Sequence, residues 1–464
     1  MNLSNKCPSL WGNIWKLDKP QIRAFHMSWF AFFLCFFAWF GIAPLMSVIR
    51  DEMSLTKDQI GWCIIGSVAA TAFARLLVGR ICDRIGPRLA YTWLLLLASI
   101  PVMAIVFATD YSSFLFFRIA IGAIGGSFVI TQYHTSIMFD PKCVGAANAT
   151  SAGWGNLGGG ATQLVMPILF GLFVTTIGLS TAQSWRACMF GAGVLCALTG
   201  VAYYFLTQDT PDGNFKDLRA SGAMPAKKGG GVAFLSICQD RRVWALFLIY
   251  GACFGVELTI NNMAALYFLD YFQAFKSMER VQAISYAGMI AGLFGFMNLF
   301  SRTIGGVASD KFAARWGLSA RVKWLFVVVL CEGMTLMLFS QISILGLAIP
   351  VLLAFSLFVQ MSSGATFAIV PFINKKALGS VAGIVGAGGN AGAVLAGFLL
   401  KMDTIAWPNA FFIVGALVTC SSFVALTIKF SLISEGFVPP TIESVLASEV
   451  RPEVSTTMAM GVSR

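Results

Sequence analysis

The sequence predicts an all-α membrane protein with twelve transmembrane helices, arranged in two pseudo-symmetric halves of six. Three observations lead to this fold class: an apolar composition, twelve long apolar runs and an internal repeat. Of the 464 residues, 57% are hydrophobic and 11% are charged, whereas soluble domains have about 45–50% apolar and about 25% charged residues. A water-soluble fold could not bury so many apolar side chains, so we expect lipid to cover them.

The apolar runs set the predicted organisation of the chain, because a helix needs about 20 mainly apolar residues to cross a bilayer. Twelve runs meet this condition. They begin near Phe25, Ile60, Leu89, Phe114, Gly145, Ala187, Val243, Ile284, Trp324, Leu345, Leu378 and Pro408. The predicted segments are an N-terminal segment (1–24), a first six-helix half (25–206), a linker (207–242), a second half (243–430) and a C-terminal tail (431–464).

The positive charge is distributed as expected for a membrane protein. The formal net charge is +11, which alone would suggest a nucleic-acid partner. With the N-terminus inside the cell, however, the cytoplasmic segments hold 23 Lys and Arg residues and the external loops hold 6. Because positive residues concentrate on the cytoplasmic side of membrane proteins, we predict that both termini are cytoplasmic and that no nucleic acid binds.

The cysteines and histidines do not predict a metal site. Most of the 11 Cys lie within apolar runs, no CxxC pair occurs, and the two His are not spaced as metal ligands with any Cys. Small thiols are compatible with helix packing in lipid. The sequence also has no nucleophile–base pair or phosphate-binding loop that stands out. We therefore expect no metal, no cofactor and no enzymatic activity.

The internal repeat relates the two predicted halves. Residues 73–84 (FARLLVGRICDR) match 300–311 (FSRTIGGVASDK) at an offset of 227. A second pair of glycine-rich stretches, 145–158 and 379–392, matches at an offset of 234. The first pair ends the second helix of each half, and the second pair lies in the fifth. Such parallel repeats are typical of transporters whose halves are related by an axis along the membrane normal.

The end of the first repeat resembles the short cytoplasmic motif between helices two and three of major facilitators, where it acts as a gate latch. Its glycines permit close helix approach, and its acidic residue can pair with Arg or cap a helix. The alternative is a hydrophilic turn that only follows the charge bias. The predicted gate residues are Gly79, Asp83 and Arg84 in the first half and Gly306, Asp310 and Lys311 in the second.

Two arginines inside apolar runs are the strongest candidates for a binding site. Arg75 and Arg302 occupy the same place in the two repeats, and equivalent positions of two such halves converge on a central axis. A buried Arg costs roughly 2.5–3.5 kcal/mol on insertion scales, so it needs a reason to be there. Snorkelling to the nearby cytoplasmic end is the alternative. Two planar guanidiniums that face one cavity suit a small planar oxyanion better than Lys would.

Five further stretches carry a specific family resemblance. Residues 152–160 (AGWGNLGGG) and 383–392 (GIVGAGGNAG) resemble the two signatures of the nitrate/nitrite porter family of the major facilitator superfamily. Residues 132–136 (QYHTS), 255–258 (GVEL) and 364–372 (GATFAIVPF) resemble the high-affinity nitrate transporters of plants, algae and bacteria. The resemblance extends from about Lys19 to Phe430, and it implies the major facilitator fold.

The resemblance also implies site residues. In this family an Arg on the second helix and one on the eighth clamp the anion, and they match Arg75 and Arg302. A Tyr on the seventh helix matches Tyr250, and the signature amides match Asn156 and Asn390. From the residues alone, Phe254 lies one turn beyond Tyr250 and is a candidate for stacking on a planar anion. Plain aromatic packing and tight glycine packing are the alternative readings for these positions.

Two titratable residues inside the spans are candidates for proton coupling. Glu257 lies in the middle of the seventh run, where it can pair with an Arg, accept a proton or sit at a wet vestibule. His134 is the second candidate, although a packing role is the alternative. Nitrate stays deprotonated, and the membrane potential opposes its entry by about 2.3 kcal/mol per charge per 100 mV. Uptake therefore needs a co-transported cation or an exchanged anion.

The sequence therefore predicts a secondary transporter that imports nitrate and nitrite across the plasma membrane or bacterial inner membrane by alternating access and proton symport. A nitrate/nitrite exchanger and a nitrate-sensing membrane receptor are the alternatives. The expected partners are nitrate, nitrite, protons and membrane lipid. Some plant relatives need a single-span accessory protein, and the sequence leaves open whether this chain needs one.

Overall fold

The structure, a computed structural model, describes residues 6–140, 143–223, 237–374 and 378–430. These residues are overwhelmingly helical, and they form two isolated bridges, Cys7–Phe139 and Thr210–Gly213, in place of any strand. The predicted tail (431–464) and part of the predicted linker (224–236) lie outside the described residues, as does the side chain of Asp83. The prediction of an all-α protein is confirmed.

Twelve helices in the described part are long and apolar enough to cross a membrane, as predicted. In the first half they are α1 (Pro20–Met53), α2 (Lys57–Ile85), α3 (Pro87–Phe107), α4 (Tyr111–Met138), α5 (Val144–Thr175) and α6 (Thr181–Leu206). In the second half they are α7 (Arg241–Tyr271), α8 (Arg280–Trp316), α9 (Leu318–Ser340), α10 (Leu345–Ile369), α11 (Leu378–Lys401) and α12 (Trp407–Ala425). Between the halves, Phe215–Ala220 forms a short linker helix.

Several helices start earlier than their apolar runs. The run predicted near Ala187 belongs to a helix that begins at Thr181, and the run near Trp324 to one that begins at Leu318. The first turns of both helices carry polar residues. A search for runs of apolar residues leaves these turns out, although they belong to the helix. At α6 these residues form a capping box, in which the Ser180 side chain accepts the Gln183 N–H.

Tight turns at corresponding places join the second and third helices of each half. Gly86 ends α2 with a φ of 89°, and Gly317 ends α8 with a φ of 79°. Residues with a Cβ rarely adopt this left-handed region, so glycine is required for so abrupt a turn. Gly86 lies two residues after the gate motif of the first half and Gly317 six residues after that of the second half, so each half turns shortly after its copy of the motif.

The chain ends of the bundle, before α1 and after α12, lie at one face, which we call the terminal face. The other face is called the opposite face. At the opposite face the halves are joined by three ion pairs, Arg50–Asp270 (2.5 Å), Arg280–Asp51 and Lys401–Asp58 (2.7 Å).

Glycines bring helices of the two halves into backbone contact. A Cβ at Gly160 of α5 would lie 2.6 Å from the Gly295 carbonyl carbon of α8, and one at Gly295 would lie 2.2 Å from the Gly160 Cα. Near the opposite face, a Cβ at Gly397 of α11 would meet the Ile65 side chain of α2 at 2.7 Å. Burial of apolar surface does not drive helices together in lipid, so close backbone contacts of this kind hold the helices together instead.

The contacts between the halves that the described residues show lie at two levels. The three ion pairs lie at the opposite face, and the Gly160–Gly295 contact lies deeper in the bundle.

Candidate functional site

Arg75 lies on α2 in the middle of the bundle and reaches across to the second half. Its Nε donates to the Gly125 carbonyl of α4 at 3.3 Å, and its Nη1 donates to the Gly386 carbonyl of α11 at 3.4 Å. Both bonds are long, and no carboxylate within 4 Å pairs with Arg75 among the described residues. Its guanidinium keeps most of its hydrogen-bonding capacity and its full charge.

The ring of Phe254 on α7 lies between the two predicted arginines. The guanidinium carbons of Arg75 and Arg302 are each 5.8 Å from the centre of this ring. The Tyr250 ring stacks on Phe254 at 5.1 Å with an interplanar angle of 9°, and its hydroxyl lies within electrostatic range of both guanidiniums. The structure thus brings together four residues that the sequence analysis named separately.

Arg302 is already paired with a carboxylate, which comes from another helix. Its Nη2 donates to Glu257 Oε2 at 2.6 Å and to Gln360 Oε1 at 3.3 Å. Asn298, one turn before Arg302 on α8, donates its Nδ2 to Glu257 Oε1 at 2.9 Å. Glu257 is 1% exposed and Arg302 7%. Of the outcomes expected for Glu257, the structure shows the pairing with an Arg.

The two glycine-rich signatures pack equivalent pairs of helices. A Cβ at Gly158 of α5 would lie 2.1 Å from the Phe33 carbonyl of α1, and one at Gly392 of α11 would lie 2.0 Å from the Gly251 carbonyl of α7. Any larger residue would push these backbones apart. The glycines of both signatures therefore serve tight helix packing.

The signature amides have a different environment from the glycines around them. Asn156 and Asn390 are each 1% exposed. In both, neither the amide nitrogen nor the amide oxygen has a hydrogen-bond partner among the described residues. Asn390 follows Gly386, the Arg75 acceptor, by one helical turn and so lies on the same face of α11. Buried polar groups are nearly always hydrogen-bonded, so these two amides are available to a bound polar molecule.

His134, by contrast, is fully engaged within the first half. Its Nε2 donates to the Gln208 carbonyl at 2.8 Å, which leaves Nδ1 to accept the Tyr203 hydroxyl at 2.6 Å. It is 0% exposed. These bonds join α4 to the end of α6, and they account for a buried histidine without any part in transport.

The gate-motif residues lie at the terminal face. Asp310 pairs with Arg321 at the start of α9, within the second half. Gly306 is partly buried, and Lys311 and Arg84 are exposed. In the first half, Gly79 packs near Val129, and the Arg84 carbonyl accepts a bond from Arg219 of the linker helix.

A buried carboxylate fixes the linker helix to the first half. Asp209 accepts the N–H groups of Arg88 at 2.8 Å and Phe215 at 2.9 Å, so it caps the starts of α3 and the linker helix together. Burial raises the pKa of the Asp209 carboxyl.

Sequence reasoning missed three polar residues of the interior. Asn298 and Gln360 contact the Arg302–Glu257 pair. The signal for Asn298 was its place four residues before Arg302, on the same helical face. The third is Arg118 of α4, which is 1% exposed. It donates to the Trp39 carbonyl of α1 in its own half and to the Asn262 side chain of α7 in the other half. Hydropathy alone cannot show which side of a span faces the bundle.

Comparison with known proteins shows which family this architecture belongs to. The family model of the Major Facilitator Superfamily matches residues 28–397. The "High affinity nitrate transporter 2.5" of Arabidopsis thaliana is 42% identical, over 82% of this chain and 74% of its own length. The "Nitrate/nitrite transporter NrtP" of Picosynechococcus sp. is 31% identical, over 86% of this chain and 88% of its own.

Solved structures support the fold independently of sequence similarity. A bacterial homologue of the human lysosomal transporter Spinster, in an inward-facing and unoccupied conformation, superposes with a TM-score of 0.66 at 16% identity, covering 89% of this chain and 98% of that one. At this identity the likeness concerns the fold alone. Together with the motifs, these findings show that the chain is a transport protein rather than an enzyme, and that it belongs to the nitrate/nitrite porter family of the major facilitator superfamily.

Proposed function

We propose that this protein imports nitrate, and with it nitrite, across the plasma membrane or bacterial inner membrane by proton-coupled alternating access. The terminal face is cytoplasmic in this proposal, as the distribution of Lys and Arg predicts. The names of the plant and cyanobacterial relatives support the choice of anion.

The charge balance of the central cluster is the observation that carries the proposal. Arg75 and Arg302 contribute two positive charges and Glu257 one negative charge, so the cluster is left at +1. A single monovalent anion neutralises it, whereas a dianion such as sulfate overcompensates. The donors without a partner, Arg302 Nε and Gln360 Nε2, add hydrogen bonds for oxyanion oxygens. The flat Phe254 ring between the guanidiniums favours a planar ligand.

The ion pair supplies a physical route to proton coupling. Nitrate that binds Arg302 competes with Glu257 for the same guanidinium. A carboxylate that loses its cation inside a low-dielectric bundle is unstable in the charged form, so it takes up a proton. With nitrate and one proton bound, the cluster again carries +1, as in the empty carrier. The two forms that reorient therefore carry equal charge, which avoids the cost of moving an anion alone against the potential.

Alternating access requires that the contacts between the halves separate at each face in turn. Three ion pairs and glycine contacts hold the halves together at the opposite face. With the terminal face in the cytoplasm, these ion pairs form the outer gate, which must separate for nitrate to enter from outside.

Counterflow in proteoliposomes tests the proposal. Purified protein is reconstituted with internal nitrate, and labelled nitrate uptake is measured with and without an inward proton gradient, with nitrite as competitor. We expect the gradient to drive accumulation in the wild type. Arg75→Lys and Arg302→Lys should each weaken nitrate binding about 10- to 100-fold, because Lys loses one of two charge-assisted bonds worth roughly 1.5–3 kcal/mol.

The matched control is Arg315→Lys, the same substitution at an exposed position of α8. It should transport like the wild type. Normal transport by either cavity variant would refute the anion clamp. Counterflow that ignores the proton gradient in the wild type would instead identify an exchanger.

A further inference from the structure

A second acidic residue is buried in the membrane interior and has no role in the clamp. Glu332 lies on α9 and is 0% exposed. Among the described residues, neither of its carboxyl oxygens has a hydrogen-bond or ion-pair partner. The Ser362 hydroxyl of α10 lies nearby but outside hydrogen-bond geometry. A carboxylate without donors or a cation is very costly in such a place, so the environment of Glu332 favours the neutral, protonated form.

The helices packed on α9 bring few titratable groups to Glu332. From α7, Cys253 and Glu257 lie within electrostatic range. α8 carries Arg302, one of the two clamp arginines, and its guanidinium is bound to Glu257. The α10 sequence contains no titratable residue, and that of α12 contains only the exposed Cys420. Glu332 is therefore coupled to one other acid, and that acid belongs to the clamp.

Unpartnered polar groups of α10 lie close to Glu332 and to the Arg302–Glu257 pair. On α10, the Ser362 and Ser363 hydroxyls and Gln360 Nε2 are buried and have no hydrogen-bond partner among the described residues. Gln360 also contacts Arg302 through its oxygen, and Ser363 lies close to Cys253. An apolar helix in lipid has no structural need for this polar strip. Hydroxyl groups that are both donors and acceptors can pass a proton along it.

We propose that Glu332 is a second proton-carrying residue that shares the coupling proton with Glu257. This inference rests on the proposed proton-coupled transport. In the present state Glu257 is the carboxylate, held by Arg302, and Glu332 is the neutral acid. When nitrate takes Arg302, the Ser362 and Ser363 side chains rotate into hydrogen bonds with the acids. The O–H bond of Glu332 then breaks and an O–H bond forms on Glu257, each intervening hydroxyl accepting one proton and releasing one. Glu332 is then recharged by a proton from the side of higher proton concentration.

The proximity of the two acids explains why one of them stays protonated. Neighbouring carboxyls in low dielectric disfavour simultaneous ionisation, so they titrate as a pair. In the present state the residue without a cation, Glu332, keeps the proton. Nitrate takes the cation from Glu257, which then receives the proton of Glu332, and both acids are neutral once Glu332 has been recharged.

The test compares Glu332→Gln and Glu332→Asp with the wild type in full-length reconstituted protein. Gln resembles the neutral acid in shape and charge, so we expect the variant to fold and to keep nitrate–nitrate exchange. Its uptake driven by a proton gradient should fall at least tenfold, and Asp should restore part of it. Asp403→Asn, which removes an exposed carboxyl at the opposite face, is the control and should behave like the wild type.

Infrared difference spectroscopy gives an independent readout of the proton. Addition of nitrate to the purified wild type should change a protonated-carboxyl C=O band that shifts in D₂O and is absent from Glu332→Gln. Two results would overturn the role of Glu332: gradient-driven uptake by Glu332→Gln at the wild-type rate, or a Glu332 band that nitrate leaves unchanged. If Glu257→Gln is uncoupled in the same experiments, the proposed proton coupling itself still stands. A wild type that ignores the gradient would overturn both this inference and the proposed coupling.

Discussion

Substitution of Glu257 by Gln separates the effect of this residue on nitrate affinity from its effect on proton coupling. Glu257 neutralises Arg302 at 2.6 Å and is 1% exposed. Gln keeps nearly the same volume and can still accept a bond from Asn298, but it removes the negative charge. The cluster rises from +1 to +2. We therefore expect Glu257→Gln to bind nitrate more tightly while it loses accumulation driven by a proton gradient.

The expected gain in affinity follows from the geometry of one guanidinium. Nitrate on the free edge of Arg302 would lie on the order of 6 Å from the Glu257 carboxylate, and at an effective dielectric of about 20 their repulsion is about 2.8 kcal/mol. Removal of this repulsion tightens binding by about 100-fold at most, since each 1.4 kcal/mol is about a factor of ten. Without nitrate the variant should be less stable, because it leaves a buried cation uncompensated.

Isothermal titration of purified protein with nitrate measures the affinity, and thermal unfolding with and without nitrate measures the stabilisation. Glu257→Gln should show a lower dissociation constant and a larger nitrate-dependent rise in melting temperature than the wild type. Asp403→Asn removes the same charge at an exposed position outside the cavity and should show neither change. An affinity for nitrate that is unchanged or weaker in Glu257→Gln would refute competition between Glu257 and the anion.

Three further predictions concern the rest of the fold. Gly160→Ala should force α5 and α8 apart at Gly295 and shift the protein toward opening of the opposite face. Distances between spin labels placed on the two halves would report this opening, and unchanged distances would argue against backbone contact at Gly160. His134→Ala should lower the melting temperature by several degrees, since it opens a cavity in the buried interior and leaves the Gln208 carbonyl without this donor, at about 1–3 kcal/mol. It should retain proton-driven uptake, and loss of coupling in well-folded protein would return His134 to the list of proton carriers. In a cysteine-free background, labelling should find the exposed positions Asp212→Cys accessible from the cytoplasm and Met278→Cys from outside. The reverse pattern would overturn the orientation.

The candidate site could be predicted in part, because some of its residues are unusual for a membrane span. Arg75 and Arg302 stand out in apolar runs, and the repeat places them at equivalent positions. Glu257 was also visible as a charge in a span. Its partner was not, because the neighbours of Arg302 in sequence include no carboxylate. The pair forms only when α7 and α8 pack side by side, and sequence separation carries no information about that contact.

The sequence by itself determined the number of spans, the two-fold repeat and the family, since these depend on hydrophobic run length and on motifs read along one chain. Only the tertiary structure decided which polar residues lose or find partners. It buried Arg118 in the bundle, paired both nitrogens of His134 and left Glu332 without a donor. The physical reason is that lipid tolerates any apolar face equally, so hydropathy fixes where a helix crosses the membrane but not its rotation. Rotation is set by glycine contacts and buried hydrogen bonds with neighbouring helices, and these exist only once the twelve helices are packed together.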